Sequence, residues 1–230
     1  MLNKYTTTFL ATVALLMPSL QAEGPAGPKP DAMNKLIVKA EATVSQMQET
    51  DKSIPAIVLQ NCKGLAIASV TRGGIGIGGQ SGDGIVIAKT GDGWSAPSAF
   101  NTGGGSIGLQ LGVETVDYVY VLNTNEAILA FTGDKVELDA KASATAGPDH
   151  AAAANDKLPK SDIYVYALSD GAFAGATVGG AFVKLDIDLN NEVYSNVVKV
   201  NQIISGEVPA PPLMDDLYDQ INAIMSAGAE

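Results

Sequence analysis

The sequence predicts an α+β fold: a strongly curved or barrel-like, mainly antiparallel, glycine-rich sheet with amphipathic helices at its N-terminal and C-terminal ends. Three observations predict it. Helical periodicity is strongest at the two ends of the chain, while its middle is a series of short runs rich in Ile, Val and Gly. Glycines recur inside those runs as well as between them, which marks bends and close backbone approaches. The 230 residues, 46% of them hydrophobic, suffice for one well-buried core and fall short of two.

Residues 1–22 read as a secretory signal. Lys4 is followed by the apolar "FLATVALLM" and by "SLQA", which ends in a small residue before Glu23. The expected product is an exported protein, periplasmic or secreted. Residues 23–30 read as a flexible Pro/Gly-rich lead-in and residues 31–230 as a single domain. One cysteine, Cys62, forbids an internal disulfide, so stability must come from packing.

The first helix is expected from Asp31, a candidate N-cap, to about residue 48. Met33, Leu36, Ile37, Ala40, Val44 and Met47 form its apolar stripe, which suits either the core or a membrane or partner surface. "SIPAIVLQNCKG" follows as a short helix with Ser53 as N-cap, Pro55 in its first turn and Gly64 past its end. The period then changes. "LAIASVT", "GIGIGG", "GIVIAKT", "SIGLQLG" and "DYVYVLN" read as consecutive short antiparallel strands separated by "RGG", "SGDG" and "GDGW" turns.

"TNEAILAFTGDK" is a short helix with Thr124 as N-cap and Gly133 as its stop. Strand patterns resume at "VELDAKASATAG" and, after a polar loop or loose helix at 147–160, at "DIYVYALSD" and "AFAGATVGGAFVKLD". The closing helix aligns Leu213, Leu217, Ile221 and Ile224 on one side.

Several motifs invite a chemical reading. Gly104-x-Ser106-x-Gly108 fits a nucleophile elbow, with His150 and an intervening aspartate as partners, but a strand pattern follows Ser106 where an elbow needs a helix. Gly74, Gly76 and Gly79 fit G-x-G-x-x-G, again without the following helix. Asp186, Asp188 and Asn190 alternate as calcium ligands do, but Val197 stands where the loop needs its bidentate glutamate. A strand end leading into a turn or helix start is the other reading. One His and one Cys supply no transition-metal set, Trp94 is expected to anchor a strand in the core or, if exposed, to sit at a membrane interface, and no cofactor is expected.

Charge is distributed unevenly. Net charge is −11, and −12 without residues 1–22, which argues against a nucleic-acid partner. Residues 23–90 carry seven basic against six acidic side chains, whereas residues 91–230 carry six against nineteen, so an anionic surface would be met by the N-terminal third.

"IPAIVLQNCKGLAIASV", "GIGIGGQSGDGIVIAKTGDGWSAPSAFNTGGGSIGLQLGVETVDYVYVLN", "LDAKASATAGP" and "GAFAGATVGGAFVKLD…NEVYSN" resemble the SYLF domain family over roughly residues 31–210. That family is the lipid-binding domain of yeast actin-patch proteins and of some SH3- or FYVE-containing proteins, with exported bacterial relatives. The family's Tyr-Tyr-Gly near its end is here Val193-Tyr194-Ser195-Asn196.

The resemblance implies a non-enzymatic domain that binds phospholipid membranes, phosphoinositides in eukaryotic members, with an N-terminal amphipathic helix important for attachment. Carried onto this chain, the lipid role falls on Lys35, Leu36, Lys39, Lys52, Lys63 and Arg72. For an exported protein the expected partner is an anionic phospholipid surface in place of actin, and a homo-oligomer remains open. The alternatives are a structural envelope protein, which would bury Met33, Leu36 and Ile37 between copies, and a hydrolase using Ser106.

Overall fold

The fold is seen in a computed structural model that describes residues 30–50, 53–138, 143–155, 158–169 and 181–227. Residues 1–22 and 23–29, Lys52, and the parts of two expected strands at 139–142 and 170–180 lie outside the described residues. The architecture is α+β, with a curled, mostly antiparallel sheet and helices at both ends.

Two very long strands dominate the sheet. β1 runs Gly64–Thr90 and β3 runs Ser98–Leu122, with the two-residue β2, Gly93–Trp94, between them. The five short strands expected from the sequence are therefore two, and "RGG" and "SGDG" lie within β1. "GDGW" is a true turn, with Gly93 at φ 133°.

A straight strand of 27 residues would be roughly 90 Å long, while a compact domain of this size is roughly 40 Å across, so β1 must bend. It doubles back on itself. Lys89 N–H donates to Lys63 C=O at 2.8 Å, a Cβ on Gly64 would come within 2.6 Å of the Ile87 carbonyl, and Cβ atoms on Gly82 and Gly84 would overlap the carbonyls of Ser69 and Ile67. The midpoint of every such pair falls at residue 76 or between residues 75 and 76. The register of β1 with β3 slips at the same place, where Gly108, Leu109 and Gln110 face Gly76 alone. β3 is the outer strand of this corner, and its extra residues supply the longer path.

β6, Ile163–Ser169, and β7, Ala181–Leu185, pair with the other edge of β3, opposite Val116–Leu122 and Phe100–Gly104 respectively. β4, Val136–Glu137, pairs antiparallel with β7, and β5, Ala144–Ala146, pairs parallel with β6. That parallel pair departs from the consecutive antiparallel order expected from the sequence.

Both faces of the sheet are buried along 65–68 and 84–88 of β1 and 116–122 of β3, which explains why those runs read as apolar without clean alternation. Even-numbered residues in the first half of β1 and the second half of β3, among them Ala66, Ala68, Tyr118 and Tyr120, face the inside of the curl. That space is filled by α3, Asn125–Thr132, whose Phe131 meets Phe100 edge-on at 5.0 Å and Tyr120 at 5.2 Å. Thr124 caps α3 as expected, its hydroxyl accepting from Ala127 N–H at 3.1 Å.

Odd-numbered residues, among them Leu65, Ile67, Val119 and Val121, face the helices outside. There lie α1, Pro30–Gln48, α2, Ala56–Asn61, and the closing helix, which comes last in the chain as α7, Asp215–Ala227. α1 begins at Pro30, so Asp31 sits in its first turn and is not the cap. Pro55 occupies the N-cap of α2 in place of Ser53, and Gly64 opens β1. Leu217 and Ile221 are buried as expected, but Leu213 is exposed and Met214 takes the inward place. The cause is the 3₁₀ turn Pro212–Met214, whose tighter winding rotates the stripe by a residue.

Three short helices complete the described chain: α4, His150–Ala154, α5, Ile187–Tyr194, and α6, Val200–Ile204. α5 ends on Ser195 at φ 75° and ψ 149°, a backbone conformation that glycine adopts at little cost and L side chains do not. Ser195→Gly is therefore expected to raise stability by about 1 kcal/mol, a gain of about 3 °C in melting temperature by calorimetry.

Candidate functional site

The motif readings that promised chemistry are absorbed by the fold. Ser106 lies within β3 opposite Gly78, with no turn into a helix, and His150 Nε2 sits 2.9 Å from Ser53 Oγ. Gly74, Gly76 and Gly79 lie within β1.

Asp186, Asp188 and Asn190 lie where β7 ends and α5 begins, as the second reading of that segment expects. Asp186 caps α5 by accepting from Leu189 N–H at 3.0 Å, and the buried Asn190 exchanges two hydrogen bonds of 2.9 Å with the Ala99 backbone. Among the described residues, no group of three or more His, Cys, Asp or Glu side chains is arranged to hold a metal ion.

Cys62 is buried, and loss of solvation pushes its thiol up to about 11. At pH 8 the native chain should react with a thiol reagent about 100-fold more slowly than the urea-unfolded chain, or slower still, measured by the rate of thiol titration. Trp94 is half-buried against the outer core, its indole N–H donating to Asn222 Oδ1 at 3.3 Å.

The proposed lipid residues do not form one patch. Arg72 is buried inside the curl, where it donates to the Tyr118 hydroxyl at 3.0 Å and pairs with Glu114 at 3.6 Å. Its even position in β1 sends it to the face opposite α1. Lys63 is exposed where α2 hands over to β1. Leu36 is half-buried and packs on the outer core. Lys52 lies outside the described residues.

Lys35 and Lys39 share the outward face of α1. The apolar stripe behind them is occupied: Met33, Ile37, Ala40, Val44 and Met47 are all buried, and α1 packs on β1, β3, α5 and α7. The expectation that this stripe is available for a membrane is thus corrected, and so is burial of Met33 and Ile37 between copies, because both are buried within one chain.

What α1 presents outward is a shallow depression lined by Asp31, Asn34, Lys35, Val38, Lys39 and Ala42, with Val38 51% exposed. Sequence reasoning passed over Val38, although an aliphatic residue one step off a helical stripe must point away from what the stripe packs on. It also considered Asp117 only as an aspartate between Ser106 and His150 and missed its partner: Asp117 Oδ2 lies 2.6 Å from Lys39 Nζ.

A second concavity, of about 540 Å³, lies between α2, the start of α3 and the 158–162 segment, with Asn61, Asn123, Ser143, Lys160 and Asp162 at its wall. The Ser143 backbone N–H and hydroxyl hold the Asp162 carboxyl below the usual carboxylate range, so this acid is committed to fixing the loop.

Comparison with known proteins returns one family consistently. The Ysc84 family model, described as Las17-binding protein actin regulator, matches residues 103–224. Protein YSC84 of Saccharomyces cerevisiae is 34% identical over 79% of this chain and 40% of its own length. LAS seventeen-binding protein 3 of the same yeast is 33% identical over 76% of this chain and 39% of its own length. Human SH3 domain-containing YSC84-like protein 1 is 32% identical over 81% of this chain and 56% of its own length. The chain thus spans between about two fifths and somewhat over half of these relatives. No solved structure matches it.

Proposed function

Because the chain belongs to the Ysc84 (SYLF) family, we propose that it is a non-enzymatic protein that binds anionic phospholipid surfaces peripherally, through the outward face of α1. The observation that carries this reading is the pairing of two lysines with an exposed aliphatic residue on one helical face: Lys35 and Lys39 beside Val38. A lysine near an anionic surface contributes about 1 kcal/mol, and a valine moved out of water contributes about as much again. The sum is small. Binding is weak, salt-sensitive and oriented, since the strongly acidic remainder of the chain is repelled by the same surface.

The mode differs from insertion of an amphipathic helix. With its apolar stripe engaged in the core, α1 lies on the surface as part of the folded domain. In the exported setting suggested by residues 1–22, the phospholipid would be that of a cell envelope, and neither actin nor the partner named for the LAS seventeen-binding protein would be met. Co-sedimentation with vesicles of phosphatidylglycerol and phosphatidylcholine tests the reading. Binding at low salt, loss of most of it in Lys35→Glu, and release by 0.5 M salt are expected. Absence of binding to anionic vesicles at low salt would overturn it.

A further inference from the structure

Lys39 has a second role that bears on the first. We propose that Asp117 holds Lys39 in a latch that keeps α1 docked and masks one of its two outward charges, so that anionic surfaces engage the chain fully only as α1 loosens. The inference rests on the membrane-binding reading above and concerns how that site is regulated.

The row of sheet residues beneath α1 changes character along its length. Val121 and Val119 on β3, with Leu65 and Ile67 on β1, are apolar, and the next cross-strand pair is Asp117 opposite Ser69. Lys39 reaches down at this step, joining α1 to the sheet across 78 residues of sequence. Asp117 is 8% exposed, and its Oδ1 is buried with no hydrogen-bond partner among the described residues. Lys39 is thus the cation that makes this buried carboxylate tolerable. Withdrawing it while α1 stays docked would leave a buried, unpaired charge, which folded proteins avoid strongly.

Lys39 keeps 44% of its side chain exposed, so the pair sits at the boundary between core and outward face. An ammonium paired with a carboxylate presents no net charge to an approaching surface. In the docked state the outward face therefore attracts anions through Lys35 alone. An anionic headgroup that competes for Lys39 must be met by water reaching Asp117, which requires the helix to lift over that step. The exposed face and the packing of α1 are coupled through one ion pair.

Asp117→Asn keeps the shape of the side chain and removes its charge. It should bind phosphatidylglycerol vesicles about fivefold more tightly than wild type, the effect of unmasking one lysine, with no gain on pure phosphatidylcholine. Combining it with Lys39→Gln should abolish the gain. If wild type binds and Asp117→Asn binds no better, or if the gain persists without Lys39, the latch is wrong while the membrane reading stands.

Hydrogen exchange gives a readout that needs no lipid. Amides of Ile37–Val44 should exchange on the order of tenfold faster in Asp117→Asn than in wild type, and unchanged exchange would overturn the latch. In wild type the same amides should exchange faster with anionic vesicles than without, and protection there would also overturn it. Failure of every variant to bind vesicles, with faster exchange in Asp117→Asn, would refute the membrane reading and leave the ion pair as a lock on α1 alone.

Discussion

Gly84→Ala is expected to lower the melting temperature by about 10 °C, through a loss of about 3 kcal/mol. A Cβ at this position overlaps the Ile67 carbonyl and would lie 2.8 Å from the Ala68 Cβ, both belonging to the other half of the same strand. Backbone cannot rotate out of the way as a side-chain tip can, so the two halves of β1 must separate. That separation has nowhere to go. Ile85 and Ile87 beside the contact are fully buried in the outer core and Val86 in the inner one, so relief on one face is strain on the other. Gly91→Ala is the control. Nothing lies within 4 Å of a Cβ there, so its melting temperature should match wild type within about 1 °C by calorimetry. Equal stability of both variants would show that the doubling-back of β1 tolerates side chains.

The same glycines explain which parts of the fold could be read from sequence. Curvature, antiparallel pairing and terminal helices were legible because they follow from composition and period, and Thr124 was legible because an N-cap is a local device. The long ribbon was not. A Gly-Gly or Gly-x-Gly step normally ends a strand, and "RGG" and "SGDG" carry the same signal whether the chain turns or passes close to another backbone. Gly82 and Gly84 serve the second purpose, and only their partners near Ser69 and Ile67 reveal it.

The site divides in the same way. Lys35 and Lys39 could be placed on one helical face by spacing alone. The burial of Arg72 follows from its parity in β1 and from Tyr118 across the sheet, and the Lys39 to Asp117 pair spans 78 residues, so neither had a local signature.

Two neighbouring positions on α1 decide that question. Ile37 is 0% exposed, within the outer core, and Ile37→Ala should cost about 3 kcal/mol by denaturant titration, with no loss of vesicle binding under conditions where the variant is folded. The cost combines lost burial with the cavity left among helices and strands that cannot all collapse into it. Val38, one residue on, faces outward, and Val38→Asp should shift stability by less than about 0.5 kcal/mol. Its effect belongs to the surface: an aspartate between Lys35 and Lys39 removes the aliphatic contact and opposes the anionic headgroups, so vesicle binding should fall about tenfold. If α1 instead used its apolar stripe on the membrane, the effects would exchange places. Ile37→Ala would then weaken binding at little cost in stability, and Val38→Asp would do little to either. Measuring both quantities for both variants separates a helix that lies on a surface with its core face engaged from one that leaves the core to insert.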